Sequence, residues 1–362
     1  MGNPDCPMSC NRMPERLEFS RSSVLFPLSS ERPGHLMVKI VTHVLIPTDF
    51  SPSSAPAFRY AVEWTKVFKA QLTILHVHSL QPGLDIDAGV AQQFLDEQRK
   101  VAREELGKLL AEARQQVPSA SMELLAGLPS ECICEVAREK QCDLIMMGTH
   151  GWTGFNRVLF GSVAERVIQR APCPVLSIPH REPQDISAMH PLQILPRQVV
   201  LPMEFSDCSM DAYEYAVQIA KWFDAPLTLV HAIEPLSYSL DFTLTHPLQE
   251  KTNRDKVEKR LADLTAVLSE QQGLTAGYEL LDKPTVDGIL ETSAIQQADL
   301  IIMGTHGRKG LSRMVLGSTA CKVLEQSPYP VLTVKSPKFE RGHHPASETD
   351  RHSSSPAGDL NP

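Results

Sequence analysis

The chain has 362 residues, 42% hydrophobic and 22% charged, with a formal net charge of -8; it is too long for one ordinary core and has apolar material for two. The acidic balance excludes an extended nucleic-acid-binding face, which needs clustered cations. No apolar run approaches the roughly 18 residues that span a bilayer, and the Pro-, Arg- and Ser-rich N-terminus lacks the apolar stretch of a secretory signal, so a cytoplasmic protein with no membrane partner is expected.

Residues 1–37 are expected to form a disordered tail, followed by a first domain over 38–180. His43-Val44-Leu45-Ile46-Pro47-Thr48-Asp49-Phe50-Ser51 opens that domain and returns as Gln198 to Ser206, an offset of 155. Leu72 to Val77 returns as Leu227 to Ala232 at the same offset, and Asp143 to Gly151 returns as Asp299 to Gly307 at 156. Colinear matches of this extent mean a duplicated domain.

Within each copy, short apolar runs alternate with amphipathic stretches, the pattern of β-α-β units around a buried parallel sheet. Strands are predicted to begin near His43, Leu72, Ser121, Asp143 and Pro174, and near Gln198, Leu227, Gly277, Asp299 and Pro330. Leu95, Ala102, Leu106, Leu109 and Ala113 recur at helical spacing, as do Val257, Leu261, Leu264 and Leu268 in the second copy. Residues 181–196, rich in proline, read as an extended linker. The second domain follows over 197–335, and 336–362 are expected to be a second disordered tail. The eight cysteines are scattered without a C-x-x-C framework and read as reduced thiols.

The strongest signal follows the fourth strand of each copy. Gly148, Gly151 and, nine residues on, Gly161-Ser162 are matched by Gly304, Gly307 and Gly317-Ser318. Such a loop leaves the carboxyl end of a buried strand and enters a helix, so backbone amides and the helix dipole converge on a point that favours an anion. Gly151 and Gly161 lack a Cβ, which lets backbone N–H groups approach phosphate oxygens, and Ser162 can cap the helix or bond a phosphate. The alternative is that these residues only shape a strand end and a helix start. The lysine of a Walker-type loop is missing, so binding is better supported than hydrolysis.

These residues closely resemble the universal stress protein family, including the G-x2-G-x9-G-[ST] pattern of its ATP-binding members, over nearly all of both repeats. The resemblance implies an α/β fold: two tandem doubly wound five-stranded parallel sheets of order 3-2-1-4-5, adenine nucleotide alpha hydrolase-like. It further implies pairing of the two domains through Val175–Ile178 and Val331–Val334, with a homodimer as the other arrangement. In ATP-binding relatives, the acid matching Asp49 lies beside the ribose, the residues matching Pro47 and Val77 border adenine, and the glycine loop holds the phosphates. The candidate set in the first repeat is therefore Pro47, Thr48, Asp49, Val77, Met147, Gly148, His150, Gly151, Gly161, Ser162 and Val163. In the second repeat it is Pro202, Glu204, Ala232, Gly304, Gly307, Gly317, Ser318 and Thr319. ATP is the implied ligand, with Mg²⁺ carried on its phosphates and no dedicated metal ligands.

The copies differ on the adenosine side, where Glu204 replaces the aspartate and Ala232 the valine, so the first site is expected to bind more tightly. His150 reads as a loop-shaping residue rather than a base, and His76 as a packing residue rather than a metal ligand. Two function classes remain open: a nucleotide-dependent sensor or adaptor, and a slow ATPase or nucleotidyl-transfer enzyme. A dimerisation protein that binds no nucleotide is the third reading.

Overall fold

A computed structural model describes residues 41–79, 88–149, 161–180, 193–233, 246–306 and 316–335, the side chains of 88–95 and 246–251 excepted. Both tails and residues 181–192 of the linker lie outside the described residues. The first repeat runs β1 (His43–Pro47), α1 (Ala55–Phe68), β2 (Gln71–His78), α2 (Ala88–Arg114), β3 (Ser121–Ala126), α3 (Pro129–Glu139), β4 (Leu144–Gly148), α4 (Ser162–Arg170) and β5 (Val175–Ile178). The second runs β6 (Val199–Pro202), α5 (Asp207–Phe223), β7 (Leu227–Ala232), α6 (His246–Gln272), β8 (Ala276–Leu281), α7 (Thr285–Ile295), β9 (Leu300–Gly304), α8 (Ser318–Gln326) and β10 (Val331–Val334).

Ten strands form one sheet in the order β3-β2-β1-β4-β5-β10-β9-β6-β7-β8. Each repeat is parallel within itself in the expected order, while β5 and β10 run antiparallel, Leu176 facing Leu332. The carboxyl ends of the two sets of strands therefore point to opposite edges of the sheet. Central strands such as Val44 to Ile46 are wholly buried because helices cover both faces. One apolar layer joins α1, α2, α5 and α6 residues, including Trp64, Leu106, Ala216 and Leu261. The other joins α3, α4, α7 and α8 through Ile133, Val167, Ile289 and Val323. Both layers run across the β5–β10 junction.

The duplication extends to backbone conformations that L-residues rarely adopt. Phe50, Lys69 and Gln141 have φ of 62°, 52° and 53°, and their counterparts Phe205, Asp224 and Gln297 have 61°, 52° and 53°. Lys69 and Asp224 close α1 and α5 in the left-handed conformation, which redirects the chain into β2 and β7.

Two acids anchor the start of each repeat. Asp143 accepts hydrogen bonds from the Thr42 and His43 amides, at 2.7 and 3.1 Å. Asp299, only 3% exposed, accepts from the amides of Gln193 and Arg197, at 3.2 and 2.9 Å. The end of the linker is thus tied down, and it is gripped from the other side too. Trp64 Nε1 donates to the Ile194 carbonyl at 2.8 Å and the Tyr60 hydroxyl to that of Gln193 at 3.3 Å.

His43 supplies a pH-sensitive element at the opposite end of β1 from the loop. Its Nδ1 must carry a proton, because it contacts the Lys140 carbonyl at 3.1 Å, and its Nε2 lies 2.9 Å from Thr73 Oγ1. Burial holds the imidazole below its ordinary value, outweighing the Lys140 carbonyl and the nearby Asp143 and Glu123 carboxylates that raise it; Lys140 also lowers it. With the folded value depressed, the unfolded chain binds more protons, so this contribution is present above about pH 6.5 and lost as pH falls below it. In the second repeat Gln198 takes the place, its amide bonding Thr228 Oγ1 at 3.0 Å. His43→Gln is therefore expected to flatten part of the decline in melting temperature between about pH 7 and pH 5. Parallel melts of the variant and parent across that range check it.

Candidate functional site

The first candidate site lies at the carboxyl ends of β1 and β4, which pair in parallel. The chain leaving β1 is held by the Thr48 amide, which donates to the Leu75 carbonyl at 2.8 Å. Asp49 then folds the turn onto itself: its Oδ1 accepts from the Ser51 amide at 3.0 Å and the Ser51 hydroxyl at 2.6 Å. Thr48 Oγ1 accepts from the Phe50 amide at 3.1 Å and lies 3.1 Å from Ser54 Oγ. This loop passes directly over the end of β4. A Cβ on Gly148 would come within 2.7 Å of the Ser53 carbonyl oxygen, and one on Gly304 within 2.9 Å of the Cys208 carbonyl. Both strand-end glycines are therefore required by packing, Gly148 against the loop that follows β1 and Gly304 against the first turn of α5.

α4 is brought to the same place by a long-range bond. The Gly161 amide donates to the Thr149 carbonyl at 2.8 Å, and the Gly317 amide does the same to Thr305. The Gly161 amide is thus engaged by Thr149. Gly161 and Gly317 occupy the N-cap positions, with no side-chain capping bond, which revises the capping role given to Ser162. Ser162 and Ser318 are the first helical residues and are exposed. The Glu165 amide donates to the Gly161 carbonyl at 3.0 Å, so the Ser162, Val163 and Ala164 amides precede the first intrahelical bond and have no acceptor within the helix. Together with the helix dipole they make an anion-favouring end.

Pro47 and Met147 are buried at the ends of β1 and β4, and Val77 and Val163 are half-buried against the same apolar layer. In the second repeat, Pro202, Ala232 and Thr319 are half-buried at the corresponding places. His150, Gly151 and Gly307 lie outside the described residues.

The copies diverge at the acid. Glu204 keeps the hydroxyl bond, accepting from Ser206 Oγ at 2.7 Å, while Ser206 Oγ accepts from the Ser209 amide at 3.2 Å and caps α5. The turn closed by Asp49 through a backbone amide is thus replaced by a chain of side-chain bonds. Glu204→Asp is expected to restore the short turn, its carboxylate reaching the Ser206 amide as that of Asp49 reaches Ser51. A structure of the variant in which the new carboxylate leaves that amide unbonded contradicts this.

The histidines are committed to shape. His76 Nδ1 meets the Thr48 carbonyl at 2.8 Å and its ring stacks on Phe50 with centroids 4.3 Å apart; His231 meets the Met203 carbonyl at 2.5 Å and lies 5.6 Å from Phe205. Burial holds the His76 imidazole below its usual value, His78 adding to this, although the Thr48 carbonyl and Asp49 pull it up. These paired clamps were missed as parts of the site. Their signal is a histidine at one position of the second strand in both copies. Burial raises the thiols of Cys132 and Cys134, and pushes Cys142 and Cys321 to about 12 and 11, so none is a ready thiolate. Among the described residues no group of three or more His, Cys, Asp or Glu is placed to hold a metal ion, and no helix is long and apolar enough to cross a membrane.

Fold and site together define a tandem α/β protein in which a helix start that favours an anion follows the fourth strand of each repeat. The universal stress protein family model matches residues 41–179 and 196–335, and the chain belongs to that family. It is 38% identical over 136 residues to a universal stress protein of Methanocaldococcus jannaschii, spanning 37% of this chain and 80% of that one. It is 25% identical over 315 residues to a universal stress protein of Mycobacterium bovis, spanning 82% of this chain and 95% of the relative. The fold resembles that of a universal stress protein from Archaeoglobus fulgidus, with a TM-score of 0.58 and 23% identity over 81% of this chain and 98% of the other.

Proposed function

We propose that this protein binds ATP in both repeats, more tightly in the first, and acts in the cytoplasm as a nucleotide-dependent stress-response sensor or adaptor rather than an enzyme. The observation that carries the reading is the start of α4: three amides without intrahelical acceptors and the exposed Ser162, fastened by the Gly161–Thr149 bond beside the Asp49 turn. The residues fit a triphosphate and its sugar. The α4 amides and Ser162 hydroxyl would hold phosphate oxygens, Asp49 Oδ2 would accept from ribose hydroxyls, and Pro47, Val77 and Met147 would border the base. Mg²⁺ would be bound through the phosphates, contributing charge neutralisation.

Support for binding without rapid turnover comes from the commitments of the polar groups. His76 and His231 are tied to loop carbonyls, and the buried thiols are held protonated. Pairing of β5 with β10 occupies the fifth strand of each repeat within one chain, so an internal pseudo-dimer supplies what a second chain would otherwise provide. Mass spectrometry of small molecules released from freshly purified protein tests the reading. Adenine nucleotide near stoichiometric amounts is expected; protein that carries none and takes up none on incubation refutes it.

A further inference from the structure

We infer that Lys335 is a positioning residue through which the second repeat holds the phosphate-binding helix of the first, making the two sites cooperative; the inference rests on the nucleotide reading above. Lys335 directly follows β10 and is half-buried. Its ammonium crosses to the first repeat and donates to the Gln169 carbonyl at 2.7 Å and the Ala171 carbonyl at 3.4 Å. Those carbonyls belong to the C-terminal end of α4, where a cation complements the helix dipole and satisfies acceptors left without helical partners. The other end of the same nine-residue helix carries Ser162.

The second repeat is fastened to Lys335 just as directly. Val334, the residue before it, pairs with Gly304 and accepts a hydrogen bond from the Thr305 amide at 3.1 Å. Thr305 in turn accepts from the Gly317 amide at 2.8 Å, at the N-cap of α8. A continuous series of bonds thus runs from the start of α8 through Thr305, Val334 and Lys335 to the end of α4, and along α4 to Ser162. The mirror series stops short. The Thr149 amide donates to the Ile178 carbonyl at 3.2 Å, but the next residue is Pro179, which has no amine to reach α8. The pseudo-symmetric molecule therefore has this ammonium clasp on α4 without a counterpart from Pro179 on α8.

A ligand that orders Thr305 and the start of α8 orders the segment bearing Lys335, so α4 is held before the first site is filled and less ordering remains for the second ligand. Positive coupling of roughly three- to tenfold is expected, within the usual range for linked sites. ATP titrations of the full chain by calorimetry test this on the parent, Lys335→Met and Lys335→Arg, each with and without Ser318→Asp to disable the second site. In the parent, Ser318→Asp is expected to weaken the first site by that factor. In Lys335→Met the first site is already weaker by a similar factor and no longer responds to Ser318→Asp, while Lys335→Arg regains the response. A residue that merely stabilises the fold lowers the melting temperature without erasing that response. Lys335→Met binding with the parent's constants, or still responding to Ser318→Asp, overturns the inference and leaves the nucleotide reading intact. A parent protein that takes up no ATP overturns the reading, and the coupling falls with it.

Discussion

Truncating Trp64 to alanine is expected to cost about 4 kcal/mol of folding free energy, the range for removing a wholly buried large aromatic from a core. Trp64 is 1% exposed on α1 and meets residues from three parts of the chain. Its ring lies 5.8 Å from Phe68 within its own helix and 5.3 Å from Phe223 of α5 in the other repeat. Its indole N–H satisfies the Ile194 carbonyl in the linker. Truncation leaves a cavity where the repeats meet and also strands that carbonyl, a further penalty of about 1–3 kcal/mol if water cannot reach it. Trp64→Phe keeps part of the ring contact but loses the donor and some buried ring volume, so about 1–3 kcal/mol is expected. Denaturant titrations compare the three proteins. A loss below about 1 kcal/mol for the alanine variant contradicts a core shared between the repeats.

Ser162→Asp is expected to weaken ATP binding at the first site by roughly 30- to 100-fold while leaving the fold as stable as before or slightly more so. The two effects separate because Ser162 is exposed at the first position of α4. A carboxylate there favours the helix by about 0.3–1 kcal/mol. The same carboxylate repels phosphate: a like-charge contact near 4 Å is worth up to about 4 kcal/mol at an effective dielectric near 20, and exposure and salt reduce it. Ser162→Ala removes one hydrogen bond and should weaken binding only several-fold. Calorimetry paired with thermal melts checks both halves. An aspartate variant that binds like the parent shows that the nucleotide phosphates do not sit at the start of α4.

The repeated architecture was legible because buried parallel strands are written as uninterrupted apolar runs, and each run begins within a residue or so of its predicted place. The glycine spacing also marked the ends of β4 and β9 and the N-caps of α4 and α8, where Gly148, Gly304, Gly161 and Gly317 stand. What the sequence concealed are bonds between residues far apart along it. Gly161 looks like a residue freed to approach a ligand, yet its amide is spent on Thr149, and the anion-favouring amides lie one to three residues further on. Gly148 likewise reads as part of a phosphate loop, whereas its missing side chain makes room for Ser53. The prolines of the linker suggested an extended connector, but Gln193, Ile194 and Arg197 are clasped by α1 and Asp299. No periodicity encodes such contacts, because they arise only when distant segments fold against each other, within the first repeat at Gly148 and Gly161 and between the repeats at the linker.

The asymmetry at Asp49 and Glu204 was visible as one extra methylene, and its consequence is structural as well as chemical. Asp49 is short enough to accept from the amide two residues on, the turn that aspartate favours. Glu204 instead engages the hydroxyl that caps α5. The second repeat keeps the anion-favouring helix start while altering the group expected beside the ribose. Discrimination between the sites should therefore lie on the sugar side rather than the phosphate side.

Titrating nucleotide-free protein with ATP and Mg²⁺ in a calorimeter tests the central claim most directly. Two binding events per chain are expected, with the tighter weakened by roughly 30- to 100-fold in Ser162→Asp and the weaker one similarly in Ser318→Asp. Absence of any heat of binding, or a single event untouched by either substitution, contradicts the account.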